Sequence, residues 1–183
     1  MNFIFLDRDG VINQFPGKGE YVTRWEDFRF IPNAIDAIRR LKEAGFEIYV
    51  VSNQGCVSRG MITLSALQAM TNRMLKEIEN QGGKIHGVFY CVHQTSDQCE
   101  CKKPKTALFM EATRGRPVEW ESTYFIGDSQ EDVEAGKNLG CRTMLVLSGR
   151  IHNIQEVERM SLKPDVVKKN LWEAVHWILE EKS

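Results

Sequence analysis

No hydrophobic run in this chain approaches the ~20 residues that a bilayer-spanning helix needs. A membrane-embedded role is therefore not expected. Charge of one sign is equally lacking. The 24 Lys and Arg balance 25 Asp and Glu, for a formal net charge of -1. That leaves no electrostatic case for a nucleic-acid partner or an acidic lipid surface. The opening "MNFIFLDRDG" has no basic n-region, and its apolar run ends at Asp7, so it does not read as a secretory leader. A reducing, cytoplasmic setting is expected. Repeats, low-complexity stretches and linkers are missing too, so residues 1–183 are expected to form a single domain, working as a monomer. Cysteine is scarce, at five residues. In a reducing compartment, clustered cysteines point to metal or catalysis before disulfides. Cys56 and Cys141 stand alone and read as small buried hydrophobes.

What is present is an alternation of short apolar runs and helical patterns. "FIFL", "EIYVV", "GVFYC", "TYFI" and "TMLVL" read as strands, and "DVVKK" as a sixth. Between them lie helical segments. Ala34 to Gly45 places Ile35, Ile38, Leu41 and Lys42 on one face, and Thr63 to Gln81 forms a long amphipathic helix. Shorter helices follow at Thr106–Thr113 and in "DVEAGKNLG", and the C-terminal "LWEAVHWILEE" turns Leu171, Val175, Ile178 and Leu179 to one side. The stretch Ile151–Pro164 shows no clear pattern. Most of the strand runs are unbroken and apolar, the signature of strands buried on both faces. The expected fold is α/β: a Rossmann-like, three-layer sandwich around a parallel sheet. Ligands of such sheets bind beyond the carboxyl ends of the strands. Asp7 and Asp9, Ser52 and Asn53, the Cys/His/Lys segment, and Asp128 should therefore gather on one edge.

Each of these groups suits phosphoryl transfer. Asp7 and Asp9, two apart on an extended segment, can face one pocket. Their mutual repulsion calls for a cation, and magnesium takes carboxylate oxygens while leaving room for phosphate. Asp128 offers a further oxygen. Asp132, one helical turn on, can orient Lys103 or a metal-bound water. The Ser52 hydroxyl, the backbone amides after it and the Lys103 ammonium can stabilise a transferring phosphoryl group.

The order "DRDGV", "SNQG", "KKPK", "GDSQED" resembles the haloacid dehalogenase superfamily of aspartate-nucleophile phosphohydrolases, from Phe3 to about Leu147. The resemblance implies that Asp7 is the nucleophile and Asp9 the general acid/base. It implies that Ser52 and Lys103 bind phosphate, and that Asp7, Asp128 and the backbone carbonyl of Asp9 hold Mg2+. Asp132 would be the second acid of the fourth motif.

Cys91-x-His93 and Cys99-x-Cys101 supply three thiolates and an imidazole, the donor set of a closed, structural zinc site. This loop resembles the zinc-containing branch of the superfamily that holds D-glycero-D-manno-heptose 1,7-bisphosphate 7-phosphatase and histidinol-phosphate phosphatase. "VVSNQGCVSRG" looks more like the heptose enzymes, which serve nucleotide-heptose synthesis. The short gap inside the Cys/His loop and "KKPK" look more like the histidinol enzymes. Lys102 stands where both usually carry arginine, giving a point charge in place of a fork. A zinc-stabilised binding domain without catalysis is the third reading.

The 45 positions between Asp7 and Ser52 leave no room for a cap domain, so the site is expected to be capless. The loop Gln14–Val22 and the Cys/His loop should wall it, with a small phosphorylated substrate inside. Asn53, Gln54, Arg59 and Lys102 are the expected substrate contacts, with Phe15 and Lys18 beside them.

Overall fold

The computed structural model describes residues 2–181. Six strands form one parallel sheet in the order β3-β2-β1-β4-β5-β6. They are β1 (Asn2–Leu6), β2 (Phe46–Asn53), β3 (Gly87–Cys91), β4 (Tyr124–Gly127), β5 (Arg142–Val146) and β6 (Val166–Lys168). The helices are α1 (Ala34–Glu43), α2 (Leu64–Asn80), α3 (Ala107–Ala112), α4 (Gln130–Leu139), α5 (Ile154–Arg159) and α6 (Leu171–Glu181).

The period-2 alternation of the strands sorts their side chains into two helix-covered faces. Ile4 and Leu6 of β1, Ile48 and Val50 of β2, and Ile126 of β4 pack with α1, α2 and α6. Phe3 and Phe5, Tyr49 and Val51, and Phe125 face the other way, onto α3 and α4. The Phe109 ring of α3 meets Phe5 and Phe125 edge-on, at 5.1 and 4.9 Å between centroids. Both faces of the central strands are thus buried, as their unbroken apolar sequences require. β3 and β6 differ: they are the sheet edges, and every residue of β6 is half-buried.

Helix ends follow local chemistry. The Thr63 hydroxyl accepts from Ala66 N at 3.1 Å and starts α2. Gly140, at φ 78°, closes α4 in the left-handed region that glycine enters without steric cost. In α1 the buried stripe is Ala34, Ile35, Ala37, Ile38 and Leu41. Lys42, assigned to that face from the sequence, is exposed and donates to Gly82 O at 3.0 Å. The unpatterned stretch after Gly149 contains α5, whose six residues are too few for a helical period to register. Asn153 caps it at one end. The Lys163 ammonium caps the other, donating to the carbonyls of Val157, Glu158 and Met160.

The chain runs outward from β1 to β2 and β3, then returns to place β4 on the other side of β1. This reversal opens a crevice at the carboxyl ends of β1 and β4. Leu6 is in register with Val50 and Ile126, so Asp7, Ser52 and Asp128 emerge at similar heights. Among the described residues no helix is long and apolar enough to cross a membrane.

Candidate active site

Asp7, Asp9, Ser52, Asn53 and Lys103 line one narrow cleft at that crevice, together with Ser129, Asp132 and Arg150. Asp7 follows β1, where its N–H donates to Ile126 O of β4 at 2.9 Å. Asp128 follows β4. Its backbone neighbours come so close that a Cβ at Gly10 or Gly149 would collide with its carboxylate. Only glycine allows that approach, at φ 83° in the case of Gly10. The Arg150 amide donates to Asp128 Oδ2 at 2.8 Å.

Lys103 is buried, and its Nζ lies 2.9 Å from Asp7 Oδ1 and 2.6 Å from Asp132 Oδ1. It also donates to Val51 O at 2.9 Å. Burial opposes the lysine's charge, but Asp132 and Asp7 outweigh it and raise its pKa above the usual range. Asp132 is held in turn. Its Oδ2 accepts from Asp128 N, Ser129 N and Ser129 Oγ, at 3.1, 3.1 and 2.6 Å. Burial works against the Asp132 anion, yet Lys103 and these bonds lower its pKa.

Asp7, Asp128 and Asp132 bring carboxylate oxygens within 4.8 Å of one another, all on buried residues. One ammonium contacts two of the three. Burial first, then repulsion from neighbouring carboxylates, raises Asp128 well above the usual range. Asp7 is also raised, by burial above all and by Asp132, despite Lys103. A site that crowds anions in this way and leaves them undercompensated fits a hard, oxygen-seeking cation.

Asp9 stands differently. Its carboxylate lines the same cleft but sits in a cradle of donors. Asn13 Nδ2 reaches Oδ1 at 2.8 Å and Gln54 Nε2 reaches Oδ2 at 2.7 Å. Arg8 Nη2 reaches both oxygens, at 2.9 and 3.0 Å. Burial opposes the Asp9 anion, but Arg8, Asn13 and Gln54 outweigh it and lower its pKa. The cation-ready cluster of side chains is therefore Asp7, Asp128 and Asp132, with Asp9 beside it.

Two residues expected from the sequence as substrate contacts also bond within the protein, and one of them, Asn53, lines both the cleft and the wider opening beyond it. Gln54 is fully buried, and its amide serves Asp9 and the Ser52 hydroxyl. The Asn53 side chain clamps the backbone of Lys103. Its Oδ1 accepts from Lys103 N at 3.0 Å, and its Nδ2 donates to Lys103 O at 3.2 Å. Arg59 and Lys102 do line the wider opening of about 810 Å³ that continues from the cleft. Phe15 and Lys18 line it as well. The Arg59 guanidinium lies 5.7 Å from the Tyr21 ring, and Lys102 Nζ donates to Thr95 Oγ1 at 2.7 Å.

Arg150 escaped the sequence reading, which stopped at the end of β5. It bridges the cleft and the wide opening, and its guanidinium lies 5.7 Å from the Phe15 ring. Applying the strand-end rule to β5, as to the other strands, would have found it. Ser148, also just past β5, donates to Gly10 O at 2.6 Å.

Cys91, His93, Cys99 and Cys101 converge behind Lys103, with donor atoms within 4.8 Å of one another. The Cys101 sulfur lies 2.9 Å from Cys91 and 3.5 Å from Cys99, and His93 Nδ1 lies 3.2 Å from Cys101. These sulfurs are too far apart for a disulfide, near 2.05 Å, and the cysteines are free. Three sulfurs and one imidazole nitrogen at the corners of a small polyhedron can hold a metal ion. Burial opposes ionisation of Cys99, but hydrogen bonds from Cys101 and Cys91 draw its thiol down to about 7. The cluster is tied to the active-site loop, since Gln54 N donates to Cys91 O at 2.6 Å and Ser58 N to Val92 O at 3.2 Å.

A family described as "HAD-hyrolase-like" matches residues 100–174. A D-glycero-beta-D-manno-heptose-1,7-bisphosphate 7-phosphatase from Pseudomonas aeruginosa is 35% identical over 149 residues, covering 81% of this chain and 83% of that one. One from Yersinia pestis is 35% identical over 156 residues, covering 80% and 81%. Among solved structures, a D,D-heptose 1,7-bisphosphate phosphatase from B. bronchiseptica, complexed with magnesium and phosphate, superposes with a TM-score of 0.91. It is 28% identical, and 99% of each chain is covered.

Proposed function

The chain belongs to the D-glycero-beta-D-manno-heptose-1,7-bisphosphate 7-phosphatase family of haloacid-dehalogenase-like hydrolases, and from that premise we propose how its residues cleave a phosphomonoester. It is a phosphatase, and its substrate is D-glycero-D-manno-heptose 1,7-bisphosphate, from which it removes the 7-phosphate. The observation that carries the mechanism is the triangle of Asp7, Lys103 and Asp132 at the mouth of the crevice, with Asp128 adjoining.

An Asp7 carboxylate oxygen attacks phosphorus, and the bond from phosphorus to the sugar oxygen breaks. The leaving alkoxide takes a proton from Asp9, whose carboxyl group acts as general acid. A water molecule then attacks the phosphorus of the aspartyl-phosphate and gives its proton to the Asp9 carboxylate. Inorganic phosphate leaves, and the Asp7 carboxylate is restored. Lys103, the Ser52 hydroxyl and the amides after it hold the charge of the phosphoryl oxygens throughout. Arrival of a phosphate dianion beside Asp9 favours its protonated form, as any nearby like charge does.

Asp7, Asp128 and the Asp9 carbonyl would hold Mg2+, with Asp132 steering Lys103. When bound, the ion neutralises the clustered carboxylates and the developing phosphoryl charge. The Cys91, His93, Cys99 and Cys101 set would hold Zn2+ with all its positions filled by protein, hence structurally. Reduced thiols of this kind suit a cytoplasmic setting.

Phosphate release from the heptose bisphosphate and from histidinol phosphate tests this reading, each with Mg2+ and with a chelator. Preferential release from the heptose bisphosphate, lost on chelation and lost in Asp7→Asn, is the expected result. Preference for histidinol phosphate overturns the substrate, and full activity in Asp7→Asn overturns the nucleophile.

A further inference from the structure

Arg8 lies between the two aspartates of "DRDG", yet it faces away from the cleft and is 1% exposed. A guanidinium so deeply buried needs partners for its charge. Its Nε and Nη2 both reach Asp9 Oδ1, at 3.3 and 2.9 Å, and Nη2 also reaches Oδ2 at 3.0 Å. Nη2 further donates to Gln54 Oε1 at 3.2 Å. Gln54 closes the triangle through Nε2, which donates to Asp9 Oδ2 at 2.7 Å. Arg8 Nη1 has no hydrogen-bond acceptor. In place of one, the guanidinium carbon lies 6.0 Å from the Phe28 ring and 5.6 Å from the Tyr90 ring. Negative aromatic faces attract a cation without requiring an acceptor oxygen.

Both rings are themselves fixed. Phe28 stacks on Trp25 at 4.9 Å, and the Tyr90 hydroxyl lies 3.0 Å from that of Thr71 in α2. The Gln54 side chain is anchored by its own backbone, whose N–H meets Cys91 O. Arg8 and Asp9 lie where the chain bends after β1, and the amides of Val11, Ile12 and Asn13 all donate to Arg8 O. Here the Asp9 carboxylate is drawn back onto its neighbour and held by a planar fork.

We propose that Arg8, braced by Phe28, Tyr90 and Gln54, is a positioning residue that sets the orientation of the Asp9 carboxyl group for both proton transfers. This rests on the aspartyl-phosphate reading above. Arg8 touches no substrate. A lysine at this place keeps the charge and loses the fork, so it reaches one oxygen and leaves the carboxylate free to turn. Filling the space between two rings would be a purely structural role, and leaving-group chemistry separates the two. A sugar alkoxide needs the Asp9 proton in order to depart, whereas p-nitrophenolate departs without one.

The experiment measures single-turnover cleavage of heptose 1,7-bisphosphate and of p-nitrophenyl phosphate by Arg8→Lys and wild type in saturating Mg2+. The expected result is a loss of about tenfold or more on the sugar phosphate, against a loss within about threefold on the aryl phosphate. In the steady state, kcat for the bisphosphate falls while KM holds. Equal losses on both substrates, or no loss on either, overturn the positioning role while the wild-type activity leaves the functional reading intact. A wild type that cleaves neither substrate overturns both. If Arg8→Lys does not fold, Gln54→Met removes one donor of the brace, leaves Arg8 in place, and is read by the same ratio.

Discussion

The ammonium of Lys103 sits 2.6 Å from Oδ1 of Asp132, and both groups are buried. The pair joins the loop after the Cys/His cluster to the first turn of α4. Asp132 also completes the capping box of α4 with Ser129. Truncating it leaves Lys103 with a single carboxylate partner and the amides of Asp128 and Ser129 without their acceptor. Losing one partner of a buried ion pair costs about 3–5 kcal/mol. Asp132→Ala is therefore expected to lower the urea-unfolding free energy by about that amount. Turnover falls as well, because Lys103 is no longer steered. Wild-type stability in this variant would show that the pair carries no net energy.

The crowding of Asp7, Asp128 and Asp132 makes a second prediction. Three neighbouring carboxylates with one ammonium are undercompensated, so a divalent cation binds the native state in preference to the unfolded chain. Mg2+ at about 100 times its dissociation constant is expected to stabilise the enzyme by about 2.7 kcal/mol. In Asp128→Asn most of that increment disappears, together with activity. Thermal melts with and without Mg2+ measure it. An equal Mg2+ increment in wild type and Asp128→Asn would place the ion elsewhere.

The Cys/His cluster ends two residues before Lys103, and Asn53 clamps the backbone of that lysine from β2. Zinc content should be about one per chain in protein purified without added metal. Cys99→Ser is expected to lose the metal and to lower the melting temperature by about 5 °C or more. It should also reduce kcat, since the loop that delivers Lys103 is loosened. Metal analysis, melting and steady-state rates check the three parts separately.

Asp165 offers a pH test away from the metal site. Its Oδ2 accepts from Thr143 N and Oγ1, at 2.7 and 2.8 Å, and Oδ1 pairs with Lys137. Burial opposes the anion, but Lys137 and Thr143 prevail and lower its pKa from 3.8. A carboxylate lowered in the folded state stabilises above its unfolded pKa, and that contribution fades as pH falls through the folded value. Wild type should therefore exceed Asp165→Asn in stability at pH 6, and the gap should close as pH drops below about 3.8. Denaturant midpoints across that range measure it. A gap that stays constant to pH 3 would mean that the charge of Asp165 contributes nothing.

Much of this was legible in the chain itself. Unbroken runs such as "FIFL" and "TYFI" forecast strands buried on both faces, and the strand-end rule then gathered Asp7, Ser52, Lys103 and Asp128. The Cys/His spacing forecast a cluster that the fold does assemble. Side-chain direction was not legible. Gln54 and Asn53 lie beside Ser52 in sequence, but their amides are spent on Asp9 and on the Lys103 backbone. Nothing in the sequence around Arg8 signals its burial, and the rings of Phe28 and Tyr90, which lie against it, come from distant segments. Residues distant in sequence decide these cases, and periodicity carries no information about them.

Arg150 was also hidden, and it supports the last prediction. Its amide serves Asp128, so the backbone is fixed whatever the side chain. Its guanidinium lies over Phe15 and faces the opening that Arg59 and Lys102 share. A bisphosphate held by its 7-phosphate in the cleft must carry its second phosphate into that opening. Arg150→Ala should therefore raise KM for the heptose bisphosphate by about tenfold or more, with a smaller change in kcat, because the lost contact lies outside the reacting centre. Arg150→Lys should recover part of the loss, since a point charge replaces a fork. A monophosphate lacking the 1-phosphate has nothing for this guanidinium to hold, so its KM should change little. An equal rise in KM for both substrates would place Arg150 at the transferred phosphate instead.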